Sequence, residues 1–125
     1  MNVVRQSEQE IHIGIVAFLR AVLPANAIIM HARNEGNRGG RRGVIDGARG
    51  KAMGVQPGWP DLLIYTGGRG FAIEVKRSGE KMTLIQEAVA AQLSCHGIPH
   101  SVCRSIEDVR AALSAWGVTT KERTA

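Results

Sequence analysis

Asp61, Glu74 and Lys76 are the residues of this 125-residue chain whose types and spacing point most directly to chemistry. They stand in "PDLLIY" and "FAIEVKR", apolar runs that read as strands over Asp61–Tyr65 and Gly70–Lys76, joined by the glycine turn "TGGRG". Carboxylates are depleted from strands and are rarely buried unpaired, because desolvating a charge is expensive. With Gly67 and Gly68 as the turn residues, antiparallel pairing sets Asp61 opposite Glu74, on one face, with Cβ atoms ~5 Å apart. Another turn choice shifts that pairing by one residue. Like charges so placed destabilise the pair unless a cation lies between them, and a hard divalent ion such as Mg²⁺, held by oxygens, is the natural neutraliser. Lys76 lies one pleat along on the same face, where it could orient or deprotonate water and offset charge on a phosphate. By itself Glu-x-Lys is better read as the solvated face of an edge strand, since the tripeptide recurs constantly by chance. Gly58, Pro60 and Asp61 just upstream tip the balance toward a site.

These residues need elements to hold them. Ser7 and Glu10 form a capping-box pattern ahead of Ile11, Ile15, Phe18 and Val22, which recur at helical spacing, so a helix is expected from about Glu8 to Leu23, stopped by Pro24. "AIIMHA", Ala27–Ala32, reads as a strand. After the hairpin, Thr83 caps a helix reaching about His96 and ended by Gly97; "PHSVCR" is a short strand; Ser105 with Asp108 opens a last helix ending at Gly117. Residues 118–125 read as a loose tail. Phe71, Ile73 and Val75 form the greasy face of the second hairpin strand, leaving Glu74 and Lys76 on the other. The order implies one α/β domain with a mixed central sheet flanked by helices.

Composition narrows the classes. A hydrophobic share of 44% and a charged share of 22% suit a globular domain, while a net charge of +5 with clustered arginines favours an anionic partner. No apolar run approaches the ~18 residues of a membrane span, and the stretch Ile11–Leu23 carries His12 and Arg20, so a cytoplasmic protein is expected. "CHGIPHSVC" matches no common zinc pattern, and Cys95 and Cys103 are taken as small hydrophobes. "GARGKA" is not a phosphate-binding loop: Ile45 stands where its first glycine is required and Ala52 where Ser or Thr is, so no nucleotide cofactor is expected.

"PGWPDLLIY", "FAIEVKR" and "TLIQ" together resemble the VRR-NUC nucleases, a branch of the PD-(D/E)XK superfamily, and the resemblance covers a core of about residues 7–116. It implies a restriction-endonuclease-like core in which Asp61 and Glu74 bind a metal with the backbone carbonyl of Val75, and Lys76 is the catalytic lysine. It also implies Mg²⁺, with Mn²⁺ able to substitute. Gln86 matches the family's helix glutamine, yet as the third residue after Thr83 it equally suits a capping box. The family carries a glutamate on its first helix. At ~100° per residue Glu8 lies within about 60° of Ile11, Ile15 and Val22 and so points toward the sheet, whereas Glu10 suits the cap. His12 stands where relatives often have glutamine, and Trp59 is bulkier than the residue usual at its position.

The linker over 33–57 carries Arg33, Arg38, Arg41, Arg42, Arg49 and Lys51 against only Glu35 and Asp46, a balance of +4. Arginine grips phosphate bidentately, so this loop, with Arg69, Arg77 and Lys81 flanking the same site, is the expected DNA contact. Its alternative is a solvated flexible loop. Aromatic content of 4% disfavours a stacking platform for single strands, leaving duplex or branched DNA. The expected activity is endonucleolytic phosphodiester hydrolysis in replication, repair or recombination. The resemblance adds a homodimer acting on four-way junctions or flaps. The alternative is a DNA-binding or protein-interaction module that keeps the fold without turnover.

Overall fold

The computed structural model describes residues 6–32 and 49–122. Helix α1, Glu8–Val22, starts at Ser7, whose hydroxyl accepts the Glu10 N–H, and its apolar stripe buries Ile11, Ile15, Leu19 and Val22. Strand β1, Ile28–His31, then leads out to residues not described. Strands β2, Leu62–Thr66, and β3, Arg69–Val75, follow, then α2, Leu84–Cys95, β4, His100–Cys103, and α3, Ile106–Ala115. A short helical turn at residues 49–52 precedes β2. Each hairpin strand is shifted by one residue toward the turn, gaining Thr66 or Arg69, so that Asp61 and Lys76 lie immediately outside the strands.

The sheet order is β1-β2-β3-β4, antiparallel except for the β3–β4 pair. That parallel step needs a crossover, which α2 supplies. One face carries the main core, where Ile15 and Leu19 meet Leu62, Ile64, Phe71, Ile73 and Val75 and, from α3, Val109 and Leu113. The other face carries a smaller cluster of Leu63, Ala72, Val89 and Leu93 beneath α2. Period-2 alternation along β3 thus feeds two apolar layers. Only Glu74 breaks the second, as the one charged residue fully buried among those described.

Two readings need correction. Residues 118–122 are docked rather than loose: Val118 packs on the main core, the Lys121 N–H donates to the Val22 carbonyl, and Glu122 takes two bonds from Arg110 at 2.8 and 2.9 Å. Cys103 is buried but Cys95 is exposed at the end of α2, so it does not serve as a core hydrophobe. The Asp108 carboxylate also reaches one residue further back than a capping box requires, to the Arg104 N–H at 2.8 Å. Among the described residues, no helix is long and apolar enough to cross a membrane.

Candidate active site

Gly67 and Gly68, both at positive φ (60° and 74°), occupy the turn between paired Thr66 and Arg69, the type I′ geometry that glycine permits and that matches strand twist. The resulting register pairs Leu62 with Ile73, and one further step sets Asp61 against Glu74. Upstream, Gly58 sits at φ 79° against α2, where a Cβ would meet the Ile85 backbone at 2.9 Å. Trp59 packs into the cluster beneath α2. The Pro-Gly-Trp-Pro turn is thereby pressed on the helix and delivers Asp61 at the sheet end.

The Asp61 Oδ2 accepts the Val75 N–H at 2.7 Å, a backbone donor left over where β2 ends. Its carbonyl accepts from the Ala32 N–H at 3.2 Å and meets His31 Nδ1 at 2.8 Å. Glu74 is 2% exposed. Its Oε1 accepts from Gln86 Nε2 at 3.2 Å and lies 3.8 Å from Lys76 Nζ. Its Oε2 is buried and faces no donor. Burial first, then the neighbouring Asp61 carboxyl and its charge, push the Glu74 carboxyl up to about 8, against the pull of Lys76. Out of water and beside a second carboxyl, Glu74 therefore favours its protonated form when no cation is bound.

Gln86 both caps α2 and reaches Glu74. Its Oε1 accepts the Thr83 N–H at 3.0 Å while its own N–H donates to Thr83 Oγ1, completing a capping box, and its Nε2 serves Glu74. The amide's two ends point to different partners, so cap and site do not compete. Glu8 is half-buried, its carboxyl raised by burial and by a hydrogen bond to Glu80, with Lys76 and Asp61 close enough to act on it. Glu80 is held below its usual range chiefly by Arg77, whose Nε lies 2.6 Å away. Glu10 stays exposed at the cap. Glu80 and His31 are members of this cluster that the motif reading passed over. The only sequence signal for Glu80 is the Arg77–Glu80 spacing around Gly79.

The proposed DNA-binding residues are dispersed. Arg33, Arg38, Arg41 and Arg42 lie outside the described residues. Arg49, Lys51 and Lys81 are exposed, and Arg77 is exposed and paired with Glu80. Arg69 does not flank the site: it stands at the hairpin end of β3, about 17 Å of strand from Glu74. There its Nη1 donates to the Trp116 carbonyl at 2.7 Å and its guanidinium lies 4.7 Å over the Phe71 ring.

Among the described residues, no three Asp, Glu, His or Cys side chains converge closely enough to encircle an ion by themselves. The donors on offer are oxygens of two carboxylates, one with an undonated buried oxygen, and this suits a hard cation that completes its shell with a carbonyl and waters. No family model matches the chain, and no curated protein is similar to it. Among solved structures, a VRR_NUC domain protein matches with a TM-score of 0.71, over 91% of this chain and 90% of that one, at 21% identity. The resemblance read from the motif therefore holds at the level of the fold.

Proposed function

We propose that the chain is a Mg²⁺-dependent DNA endonuclease that hydrolyses phosphodiester bonds. The observation that carries the reading is the Asp61–Glu74 pair, set side by side with a buried, undonated carboxylate oxygen and with Lys76 beside it. Asp61, Glu74 and the Val75 carbonyl would hold Mg²⁺, or Mn²⁺ in its place. When bound, such an ion supplies an acidified water and a counter-charge for phosphate. Lys76, 12% exposed along its side chain, holds its ammonium 3.8 Å from Glu74 Oε1, where it would offset charge building on a phosphate. Gln86 holds the Glu74 carboxylate by its Oε1, which leaves the buried Oε2 as the oxygen without a protein donor. Glu8, on the first turn of α1 and close enough to Lys76 and Asp61 to feel their charges, would help complete the shell.

The net charge of +5 and the run of arginines over 33–51 support a polyanionic substrate held through phosphates. Branched DNA and a homodimer belong to the same proposal, since two sites related by a two-fold axis suit a symmetric junction. The test incubates labelled four-way junction, flap and linear duplex with wild type and Asp61→Ala in Mg²⁺, Mn²⁺ or EDTA. Metal-dependent cutting lost in the variant is expected. Cutting indifferent to both metal and mutation refutes the assignment, and tight binding without cutting replaces it with a non-catalytic DNA-binding module.

A further inference from the structure

Asp61 lies one residue outside β2, where the β1–β2 register continues to set it opposite Ala32. Its carbonyl accepts that frayed rung from the Ala32 N–H at 3.2 Å and, as an addition no regular ladder supplies, meets His31 Nδ1 at 2.8 Å. A carbonyl can only accept, so Nδ1 must carry the proton, and in the neutral ring Nε2 is left as an acceptor. The His31 ring is braced by His12 of α1, with centroids 4.5 Å apart and ring planes crossing at 74°. His12 lies four residues from Glu8, one helical turn along the same face. The carboxylate end of Asp61 is held separately, by the Val75 N–H at 2.7 Å.

We propose that His31, braced by His12, is a positioning residue that clamps the Asp61 peptide and so sets the Asp61 carboxylate against Val75 and Glu74. Its part in cleavage rests on the nuclease reading; the clamp itself does not. A peptide free to rotate about its one remaining bond from Ala32 would swing the carboxylate away from the Val75 N–H. The shared site would then lose alignment without losing any ligand. Partners that orient a ligand from behind typically change metal affinity or activity by about 10–100-fold when removed.

Three measurements test this. In wild type at pH ~8.5, long-range proton–nitrogen NMR of the imidazoles should show His31 as the Nδ1–H tautomer; an Nε2–H tautomer overturns the proposal with no variant needed. His31→Phe keeps a ring against His12 but removes the donor, and His31→Asn restores a donor at a similar reach. In metal-free protein the Phe variant should move the Val75 amide resonance upfield and speed its hydrogen exchange about ten-fold. With Mn²⁺ it should weaken binding by about ten-fold and lower kcat with KM unchanged, and the Asn variant should recover most of each loss. An unchanged Val75 amide in the Phe variant, or losses that Asn fails to restore, overturns the clamp. Wild type that shows the tautomer and a protected Val75 amide yet cuts no DNA upholds the clamp and sinks the nuclease reading instead.

Discussion

Replacing Glu74 by Gln should stabilise the metal-free protein while destroying its site, and the size of the gain follows from the burial of one carboxyl. Glu74 titrates at about 8 in the fold against an ordinary 4.5. Between those values the native state holds a proton that the unfolded chain has released, so stability falls as pH rises, by up to ~1.4 kcal/mol per pH unit. The loss is about 2 kcal/mol at pH ~6 and approaches an upper bound of roughly 5 kcal/mol above pH ~8. Gln keeps a carbonyl for Gln86 Nε2 and offers an N–H toward Asp61, with no charge to desolvate. Urea unfolding in EDTA across pH 5–8.5 should show a declining midpoint for wild type and a nearly flat one for Glu74→Gln. The variant should lead by roughly 2–4 kcal/mol at pH ~8.5. Adding Mn²⁺ at about 100 times its dissociation constant should return ~2.7 kcal/mol to wild type and nothing to the variant. A wild-type midpoint that stays level from pH 5 to 8.5, or a variant with no lead at the top of that range, refutes the reasoning.

Gly58→Ala should lose about 1–3 kcal/mol in thermal or urea unfolding, since it combines a left-handed backbone with a Cβ 2.9 Å from the Ile85 backbone, and should lower metal affinity by displacing Asp61. Gln86→Leu should cost about 1 kcal/mol through the lost cap and also weaken Mn²⁺ binding, whereas Gln86→Glu should keep the cap and still lose the metal by setting a third carboxylate on Glu74; calorimetric titration separates the two. Truncation after Gly117 should lower stability by at least the ~1 kcal/mol of Val118 burial, which differential scanning calorimetry reads. Because Arg110 holds Glu122 below its usual range, the contribution of that pair is present above pH 4.5 and is lost as pH falls through the depressed value, so Glu122→Gln should flatten the acid limb of the stability profile.

What could be read in the sequence divides by the range of the interactions involved. The hairpin register followed from Gly67 and Gly68 because a two-residue turn has few geometries, and it placed Asp61 opposite Glu74 from two adjacent glycines alone. The inward turn of Glu8 followed from helical angle, and the caps at Ser7, Thr83 and Ser105 from spacings of three. His31 escaped notice because its link to Asp61 spans 30 positions and is made by packing β1 on β2, with no motif to announce it. Arg69 was drawn toward the site by its nearness in sequence to Glu74, but a strand is long for its residue count and carries its two ends apart. The tail was misjudged for a related reason: Val118, Lys121 and Glu122 dock only because α1 and α3 already present a core, a carbonyl and an arginine. Short-range geometry thus specified which groups face each other across one turn. The groups that hold them still came from elements brought together only by the folded core, and the clamp on Asp61 is where that difference bears on function.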